Sequence, residues 1–462
     1  MAWRVIKLTE KSEFWSEVFA CPKCKGALKT TGKTVDCTKC KQAYPFIGDV
    51  PVLMPEPGRW ISRWRDSWDV FFARSLKEEN VVREQLKNGD FLAATRERLA
   101  NWVSGIQSHR KKMRDLLKPL LGDQVANSKT LSAEATQRLY QNDHSITAYA
   151  SNLLRDWGWE TGENSRSLEV IKETIGKEKK LGKVLILGAG AGRLAYDIHQ
   201  NFSPELTVAL DFNPVLFLAA RRFINDGDRF ELTEFVQTPI HPKEVAVSVS
   251  CGGVKPISPE KFVLCLADAL RPPFQDEKFD TVVTPWMIDV IPVDLRIFLS
   301  KINSLLKKDG LWINLGPLGY NRGPASLKYG LAEIQAMATE LGFEIEKCDR
   351  FEVPYLKSPH SCQSRFEKIL GIRARKISKA LTPIAESEDP TPSWIKDPNQ
   401  PVPALSEFAL AMQTNKLLAD ILSLIDGKRN LSEMTALLAH HYSMEPATAG
   451  ELIQKYLRSV IT

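Results

Sequence analysis

The pattern of apolar and polar residues changes character along the chain. Between residues 183 and 315, short apolar runs such as Val184–Leu187 and Phe262–Leu266 alternate with stretches in which apolar side chains recur every three or four positions. Short runs bounded by turn residues are typical of buried parallel strands, and the longer spacing is typical of amphipathic helices. This part of the chain is therefore predicted to form an α/β domain around a parallel sheet.

The first β-α-β unit of that sheet is predicted within residues 183–214. The strand Val184–Leu187 leads into the turn Gly188-Ala189-Gly190-Ala191-Gly192, and a helical pattern opens at Arg193. Glycines at this position let a ligand approach the backbone at a helix N-terminus. Asp211 ends the second strand, where it can accept hydrogen bonds from ribose hydroxyls. The unit indicates a nucleotide-binding Rossmann-type fold.

Later segments narrow the class of Rossmann-type protein. Asp268 follows the third strand, Phe279-Asp280-Thr281-Val282-Val283 forms the fourth, and Lys307-Lys308-Asp309-Gly310 is expected to be a turn before the fifth. The segment 227–259 contains prolines and is expected to be a looser stretch over the open edge of the site. This order of motifs resembles the class I S-adenosylmethionine methyltransferases more closely than the dehydrogenases.

Four cysteines near the N-terminus form two C-x-x-C pairs, Cys21 with Cys24 and Cys37 with Cys40. Four thiolates in two such pairs suit a tetrahedral Zn²⁺ and fill its coordination shell, so we expect a structural rather than a catalytic zinc. The continuation Tyr44-Pro45-Phe46-Ile47-Gly48-Asp49 resembles the small zinc ribbons of the Trm112 type. Such ribbons accompany methyltransferases as fused modules or as activating partners.

Residues 59–121 combine aromatic and basic side chains at helical spacing, for example Trp60, Trp64 and Trp68. This pattern favours amphipathic helices with a buried aromatic stripe. A nucleic-acid surface is the alternative, and the run 108–114 is its best basic patch.

Four stretches between residues 140 and 375 resemble the carnosine N-methyltransferase (N2227-type) family. They are Leu154-Arg155-Asp156-Trp157 with Glu163 and Arg166, the glycine turn, Val283–Asp289, and Trp312-Ile313-Asn314-Leu315-Gly316-Pro317-Leu318-Gly319-Tyr320. The resemblance implies that S-adenosyl-L-methionine is bound by Arg155, Gly188, Gly190, Gly192, Asp211 and Asp268. From the sequence alone, Arg155 could instead pair with Asp156 or another nearby acid.

The same resemblance implies an acceptor site formed by Asp289, Tyr320, Asn321 and Tyr355. A carboxylate that accepts the N–H of a neutral imidazole fixes its tautomer and leaves the other nitrogen free for alkylation. The alternative for Asp289 is a helix N-cap, at Asp289 itself or at Asp294. Asn321 stands where the family has a histidine that contacts the substrate, which argues against carnosine itself but leaves an imidazole acceptor.

The C-terminal part begins with a segment rich in proline, residues 379–404, which we interpret as an extended linker. Beyond it, the stretch from Ile421 through Gly427 and Leu431 to Tyr442 resembles the PqqD-like winged-helix fold. The resemblance implies capture of a peptide by strand addition. Gly427 would allow a tight turn, and Asn430 or Ser432 could cap the following helix. His440 and His441 are expected on a helix surface.

Composition adds few constraints. The formal net charge of +6 permits a nucleic-acid partner without arguing for one. No apolar run is long enough to span a membrane, the N-terminus lacks the apolar core of a signal peptide, and we expect a cytoplasmic protein. The predicted fold class is α/β, with a Rossmann-like class I methyltransferase sheet. The predicted domains are a zinc ribbon (1–58), a helical cap region (59–180), an S-adenosylmethionine-binding domain (181–378), the linker (379–404) and a PqqD-like domain (405–462).

The expected function is N-methylation of an imidazole nitrogen in a histidine-containing small peptide or peptide chain. The C-terminal domain would recruit that peptide. The alternative is an RNA methyltransferase that holds RNA with the ribbon and the basic helices. These two readings predict different acceptors for the same cofactor.

Overall fold

A computed structural model describes residues 17–122, 150–178, 180–320, 325–380, 416–426 and 428–461. The chain forms two compact units, residues 1–385 and residues 386–462, and each is described by itself. No helix among the described residues is both long and apolar enough to cross a membrane.

The strands of the first unit are β1 (Leu28–Thr30), β2 (Thr34–Cys37), β3 (Ala43–Ile47), β4 (Val50–Leu53), β5 (Lys183–Leu187), β6 (Leu206–Asp211), β7 (Arg229–Phe235), β8 (Ala246–Gly252), β9 (Phe262–Ala267), β10 (Phe279–Pro285), β11 (Leu306–Gly316), β12 (Phe343–Tyr355) and β13 (Arg365–Lys376). Its helices are α1 (Pro57–Asn88), α2 (Ala93–Leu121), α3 (Ala150–Trp157), α4 (Glu163–Ile175), α5 (Arg193–Phe202), α6 (Pro214–Arg221), α7 (Leu295–Leu305) and α8 (Leu331–Glu340).

Seven strands form the centre of a large sheet, in the order β9-β6-β5-β10-β11-β13-β12. All of them run parallel except β13, which pairs antiparallel with β11 and with β12. The central strands are almost wholly buried, as expected for parallel strands covered on both faces. The fold is a Rossmann-like α/β fold, as the alternating pattern predicted.

Side chains alternate between two cores along each central strand. Val184 and Ile186 of β5 face a core that also contains apolar side chains of α2, α3, α4, α5 and α6, while Leu185 and Leu187 face a second core with α7 and α8. Helix α6 begins directly after Asn213, because the Asn213 side chain caps the helix by accepting hydrogen bonds from the N–H groups of residues 215 and 216.

The four short strands β1–β4 of the cysteine-containing ribbon extend this sheet. Strand β4 pairs parallel with β9, with Val52 opposite Leu266. Asp49 forms an ion pair with Arg221 at 2.6 Å, and Lys25 donates to the Pro272 carbonyl at 2.8 Å. Ribbon side chains such as Tyr44 lie in the second core. The ribbon predicted to end at residue 58 therefore shares a hydrophobic core with the sheet.

Helices α1 and α2 pack against each other, and α2, which carries the basic run 108–114, packs against the β7–β8 hairpin. His109 and Met113 are buried, and Lys112 donates to Ser248 at 2.9 Å. Arg110 pairs with the buried Glu79, and the Arg114 guanidinium lies 4.8 Å from the Phe72 ring centre. Arg110, Lys112 and Arg114 thus contact groups within the fold, although the side chains of Lys111 and Arg114 are exposed.

Two local expectations were wrong. The segment 227–259 is not a loose stretch, because β7 and β8 within it pair antiparallel over seven residues each. The expected turn at residues 307–310 is an irregularity inside β11, where Asp309 has a φ of 61° and the pairing with β10 shifts register. Strand β7 was missed because its sequence mixes charged and apolar residues, and the fold buries the polar residues Thr233 and Glu234 together with Leu232.

In the second unit, the described residues form a helical segment over 416–423, α9 (Leu431–Tyr442) and α10 (Pro446–Ile461) around a small core. Asn430 caps α9 in a reciprocal pair with Glu433, as the sequence allowed. The Tyr442 hydroxyl donates to Asp420 at 2.6 Å. Gly427 and most of the linker lie outside the described residues, and the PqqD-like assignment stays a prediction.

Candidate functional site

The predicted site residues gather at one edge of the sheet because the parallel strands all end there. Strand β12 shares this direction, since it is antiparallel to β13, which is antiparallel to β11. The edge carries Gly188 after β5, Asp211 at the end of β6, Asp268 after β9, Asp289 after β10, Tyr320 after β11 and Tyr355 at the end of β12.

The glycine turn needs its glycines. Gly188, Gly190 and Gly192 have φ values of 71°, 58° and 80°, a region that other residues rarely adopt. A β-carbon on Gly188 would lie 2.6 Å from the Met287 Sδ atom, whereas one on Gly190 would meet nothing within 4 Å. The turn is therefore closed against Met287 at Gly188 and has open space at Gly190, where a ligand can approach the backbone.

Asp211 is buried and holds this turn. One carboxylate oxygen accepts the Gly190 N–H at 2.8 Å, and the other accepts the Asn213 N–H at 2.9 Å. Burial raises the pKa of Asp211 to about 6, against the lowering effect of these backbone donors. Each oxygen keeps a second lone pair, so the carboxylate can still accept a hydroxyl donor.

Phe212 and Asp268 complete this side of the edge. The Phe212 side chain is 50% exposed although it directly follows a buried strand, so an aromatic face lies at the edge beside Asp211. Asp268 accepts the Leu270 N–H at 2.9 Å. Sequence reasoning missed Phe212. The signal that could have identified it is an aromatic residue between Asp211, which ends the strand, and Asn213, which caps the next helix.

Arg155 lies on the short helix α3 within an ion-pair network. Its Nε donates to Asp156 at 2.6 Å and lies 3.7 Å from an oxygen of the buried Glu163. Burial raises the pKa of Glu163, and Arg155 partly offsets that shift. The alternative expected for Arg155, an ion pair with Asp156 or another nearby acid, is therefore present. A contact between Arg155 and a ligand would be made in addition to these ion pairs.

Helix α3 is fastened to the glycine turn by a neighbouring residue. The Trp157 indole N–H donates to the Ala191 carbonyl at 2.8 Å, and the Arg193 guanidinium donates to the Asp156 carbonyl at 3.2 Å. These contacts keep Arg155 beside the turn that carries Gly190.

Asp289 lies in a tight segment after β10. One carboxylate oxygen accepts the Gly319 N–H at 3.0 Å, and burial raises the pKa of Asp289. Asp289 is not a helix cap; the cap of α7 is Asp294, whose side chain accepts the Arg296 N–H at 2.9 Å. Met287, two residues before Asp289, lies against Gly188, so the glycine turn and Asp289 are neighbours.

Trp286 adopts a backbone conformation that is rare for its type. Its φ is 47°, and a β-carbon on Gly316 would lie 3.0 Å from the Trp286 Cα atom. The Trp286 indole N–H donates to Glu367 at 3.0 Å, and its ring centre lies 6.3 Å from that of Tyr355. Strained backbone of this kind is enriched at functional sites. Sequence reasoning assigned no role to Trp286 or Glu367.

Two tyrosines line the same region. The Tyr320 hydroxyl is buried and has no hydrogen-bond partner among the described residues, and burial with the nearby Asp289 charge raises its pKa. The Tyr355 ring centre lies 4.3 Å from the Arg365 guanidinium and 5.8 Å from the Arg155 guanidinium. Asn321 lies outside the described residues.

The four ribbon cysteines form a compact cluster. Their sulfur atoms all lie within 4.8 Å of one another, with Cys21 to Cys40 at 3.7 Å and Cys24 to Cys37 at 3.5 Å. Four sulfurs around a tetrahedral Zn²⁺ with Zn–S bonds of about 2.3 Å would lie about 3.8 Å apart. The donor set and its spacing are compatible with zinc.

Comparisons with known proteins match this domain. The family model described as carnosine N-methyltransferase matches residues 133–370, just over half of the chain. The Drosophila melanogaster protein named carnosine N-methyltransferase unmet is 25% identical over 244 residues, which cover 48% of this chain and 53% of that protein. The chain thus spans about half the length of this relative.

Two further likenesses are more limited. A UPF0434 protein of Nitrosococcus oceani is 40% identical over 45 residues, covering 9% of this chain and 76% of that protein. The structure of the N-methyltransferase NodS from Bradyrhizobium japonicum, in complex with S-adenosyl-L-homocysteine, is 12% identical with a TM-score of 0.32. That match covers 50% of this chain and 99% of the other.

Proposed function

The chain belongs to the carnosine N-methyltransferase family, and we propose that it methylates an imidazole nitrogen of a histidine-containing peptide with S-adenosyl-L-methionine. The observation that carries the proposal is the position of Asp289. This half-buried carboxylate lies beside the glycine turn through Met287 and beside the Tyr320 hydroxyl, which has no hydrogen-bond partner among the described residues. The groups proposed to bind the acceptor and those proposed to bind the cofactor are thus adjacent.

The edge of the sheet offers suitable groups for the cofactor. The open space at Gly190 admits a ligand to the backbone, the remaining lone pairs of Asp211 suit ribose hydroxyls, and the exposed ring of Phe212 suits an adenine face. Asp268 would accept from the adenine amino group, and Arg155 would add a contact to the carboxylate of the methionine end. When bound, S-adenosyl-L-methionine supplies an electrophilic methyl group.

The residues of the chain then orient the acceptor. Asp289 accepts the N–H of a neutral imidazole, which leaves the lone pair of the other nitrogen pointing toward the methyl donor. As the ring is alkylated it becomes positively charged, and the Asp289 carboxylate stabilises that charge. Burial strengthens this interaction because little water competes for the carboxylate. Tyr320 and Tyr355 would contact the ring, and Asn321 would supply an amide in place of the histidine of the family.

The ribbon and the second unit have supporting roles in this proposal. The four cysteines would hold a structural zinc, which leaves no coordination position for substrate. The C-terminal unit would recruit the peptide. No observation favours RNA as the acceptor, because Arg110, Lys112 and Arg114 of the basic run all contact groups within the fold.

The test is transfer of label from methyl-labelled S-adenosyl-L-methionine to histidine peptides, to carnosine and to total RNA in parallel reactions. We expect label in an imidazole ring. Label in RNA alone would refute the proposed acceptor. Asp289→Asn should abolish transfer while the cofactor still binds with nearly unchanged affinity, and loss of both would instead make Asp289 a structural residue.

A further inference from the structure

A large cavity lies beside the candidate acceptor site. Its volume is about 1690 Å³, and its walls come from helices α1 and α2, the β7–β8 hairpin and the loop between β12 and β13. Pockets for small organic ligands typically measure about 300–1,000 Å³, so this one exceeds what a dipeptide needs. Helices α1 and α2 precede the segment matched by the family model, so part of the cavity wall lies outside that segment.

One wall of the cavity is a continuous aromatic surface. The ring centres of Trp68 and Phe71 are 4.9 Å apart, and those of Phe71 and His109 are 5.8 Å apart. Phe235 follows at 5.4 Å from His109, and Trp102 lies 4.9 Å from Phe235. Rigid aromatic surfaces of this kind bind apolar side chains and the flat faces of amide groups.

Two nitrogens in this wall lack hydrogen-bond partners among the described residues. They are Nε1 of Trp68, which can only donate, and Nδ1 of His109, which belongs to a neutral imidazole because burial lowers the pKa of His109 to about 4. A buried polar group without a partner is unfavourable. A peptide group carries the complementary groups, a carbonyl that can accept from Trp68 and an N–H that can donate to the His109 nitrogen.

The cavity shares Tyr355 with the candidate acceptor site. Tyr355 and Arg365 line it, and the Tyr355 ring lies 6.3 Å from that of Trp286, three residues before Asp289. Leu154, next to Arg155 on α3, also lines it. A chain that begins at the imidazole site can therefore continue into the cavity past Tyr355.

We propose that this cavity binds the peptide chain flanking the acceptor histidine, so that the substrate is a peptide of several residues rather than a dipeptide. The inference rests on the proposed imidazole N-methylation and names the substrate class for that site. The contacts are with backbone amides and with one apolar side chain on the aromatic wall. A peptide of generic sequence should therefore bind measurably.

The test is fluorescence anisotropy with a labelled decapeptide of alanine and serine that carries a central histidine and one flanking leucine, with the dipeptide β-alanyl-histidine as competitor. We expect the decapeptide to bind at least tenfold more tightly than the dipeptide. Trp102→Ala should weaken decapeptide binding about tenfold, because it removes an aromatic anchor. His109→Phe keeps a ring in edge contact with Phe71 and Phe235 and should weaken binding about fivefold through the lost nitrogen.

Trp60→Ala is the matched control, since Trp60 is a partly buried tryptophan of α1 that does not line the cavity. It should bind the decapeptide as the unmodified chain does. His109→Phe should not lower the thermal midpoint, because it removes an unsatisfied buried nitrogen, so it keeps the test informative if Trp102→Ala fails to fold. Equal binding of decapeptide and dipeptide, or binding unaffected by both variants, would refute the cavity proposal.

Failure of the acceptor assignment would look different. Decapeptide binding that depends on Trp102 and His109 without label entering the histidine would support the cavity and overturn imidazole methylation. Equal kcat/KM on dipeptide and decapeptide, unchanged in both variants, would support imidazole methylation and overturn the cavity. RNA should also be tested as a competitor. If RNA binds more tightly than the decapeptide and displaces the decapeptide from the unmodified chain but not from the two variants, the peptide is overturned as occupant.

Discussion

The open space at Gly190 leads to a prediction that separates stability from cofactor binding. Gly190 has a φ of 58°, and an added β-carbon would meet no described atom within 4 Å. Gly190→Ala should therefore cost only the strain of a left-handed alanine, about 1 kcal/mol. The new methyl group would project into the space proposed for S-adenosyl-L-methionine, so the dissociation constant should rise at least tenfold, which corresponds to about 1.4 kcal/mol.

Isothermal calorimetry with S-adenosyl-L-methionine and thermal unfolding measure the two effects separately. Gly32→Ala is the matched control, because Gly32 has a φ of 93°, also has nothing within 4 Å, and lies in the β1–β2 turn of the ribbon. Both variants should lower the thermal midpoint by a similar amount, and only Gly190→Ala should lose affinity. Unchanged affinity in Gly190→Ala, or equal loss in both variants, would refute a ligand position at Gly190.

Two further predictions concern protonation and metal. Burial raises the pKa of Asp211 to about 6, so its ionised fraction falls from about 0.9 at pH 7 to about 0.1 at pH 5. If the ionised carboxylate binds the cofactor, the dissociation constant of S-adenosyl-L-methionine should rise about tenfold over that range. Calorimetry should show no such change over this range in Asp211→Asn, and a flat profile in the unmodified chain would contradict a role for the carboxylate. Cys24→Ser should lower the zinc content measured by elemental analysis. It should also lower the thermal midpoint of the first unit, because the ribbon shares its core with the sheet. Cys362→Ser, which changes an exposed thiol, is the control and should change neither. Full zinc content in Cys24→Ser would refute the proposed ligand set.

The sequence by itself determined the class of fold and the location of the candidate site along the chain. Short apolar runs are buried parallel strands because both faces of such a sheet are covered, and the residues after Leu187, Leu210 and Pro285 must then meet at one edge. Glycines at 188, 190 and 192 indicated a turn before a helix, and the structure has that turn, with positive φ values at all three glycines. These features are local, so spacing and residue type were enough to find them.

Only the tertiary structure decided which residues meet across the edge. The contact of Met287 with Gly188, the position of Trp286 against Gly316 and its bond to Glu367 join segments that are far apart in sequence. The sequence left two roles open for Arg155, contact with the cofactor and pairing with a nearby acid, because its contacts depend on how α3 packs. These pairings depend on packing, which no local pattern records.

The same reason explains the ribbon and the cavity. Cysteine spacing predicted a zinc module, but the addition of β4 to the edge strand β9 arises from unpaired backbone groups, which every strand edge presents whatever its sequence. The basic run 108–114 suggested a surface for RNA, yet packing against the β7–β8 hairpin buries His109 and engages Lys112. The aromatic wall beside Tyr355 exists because two helices and a hairpin converge there. It is therefore a property of the assembled fold.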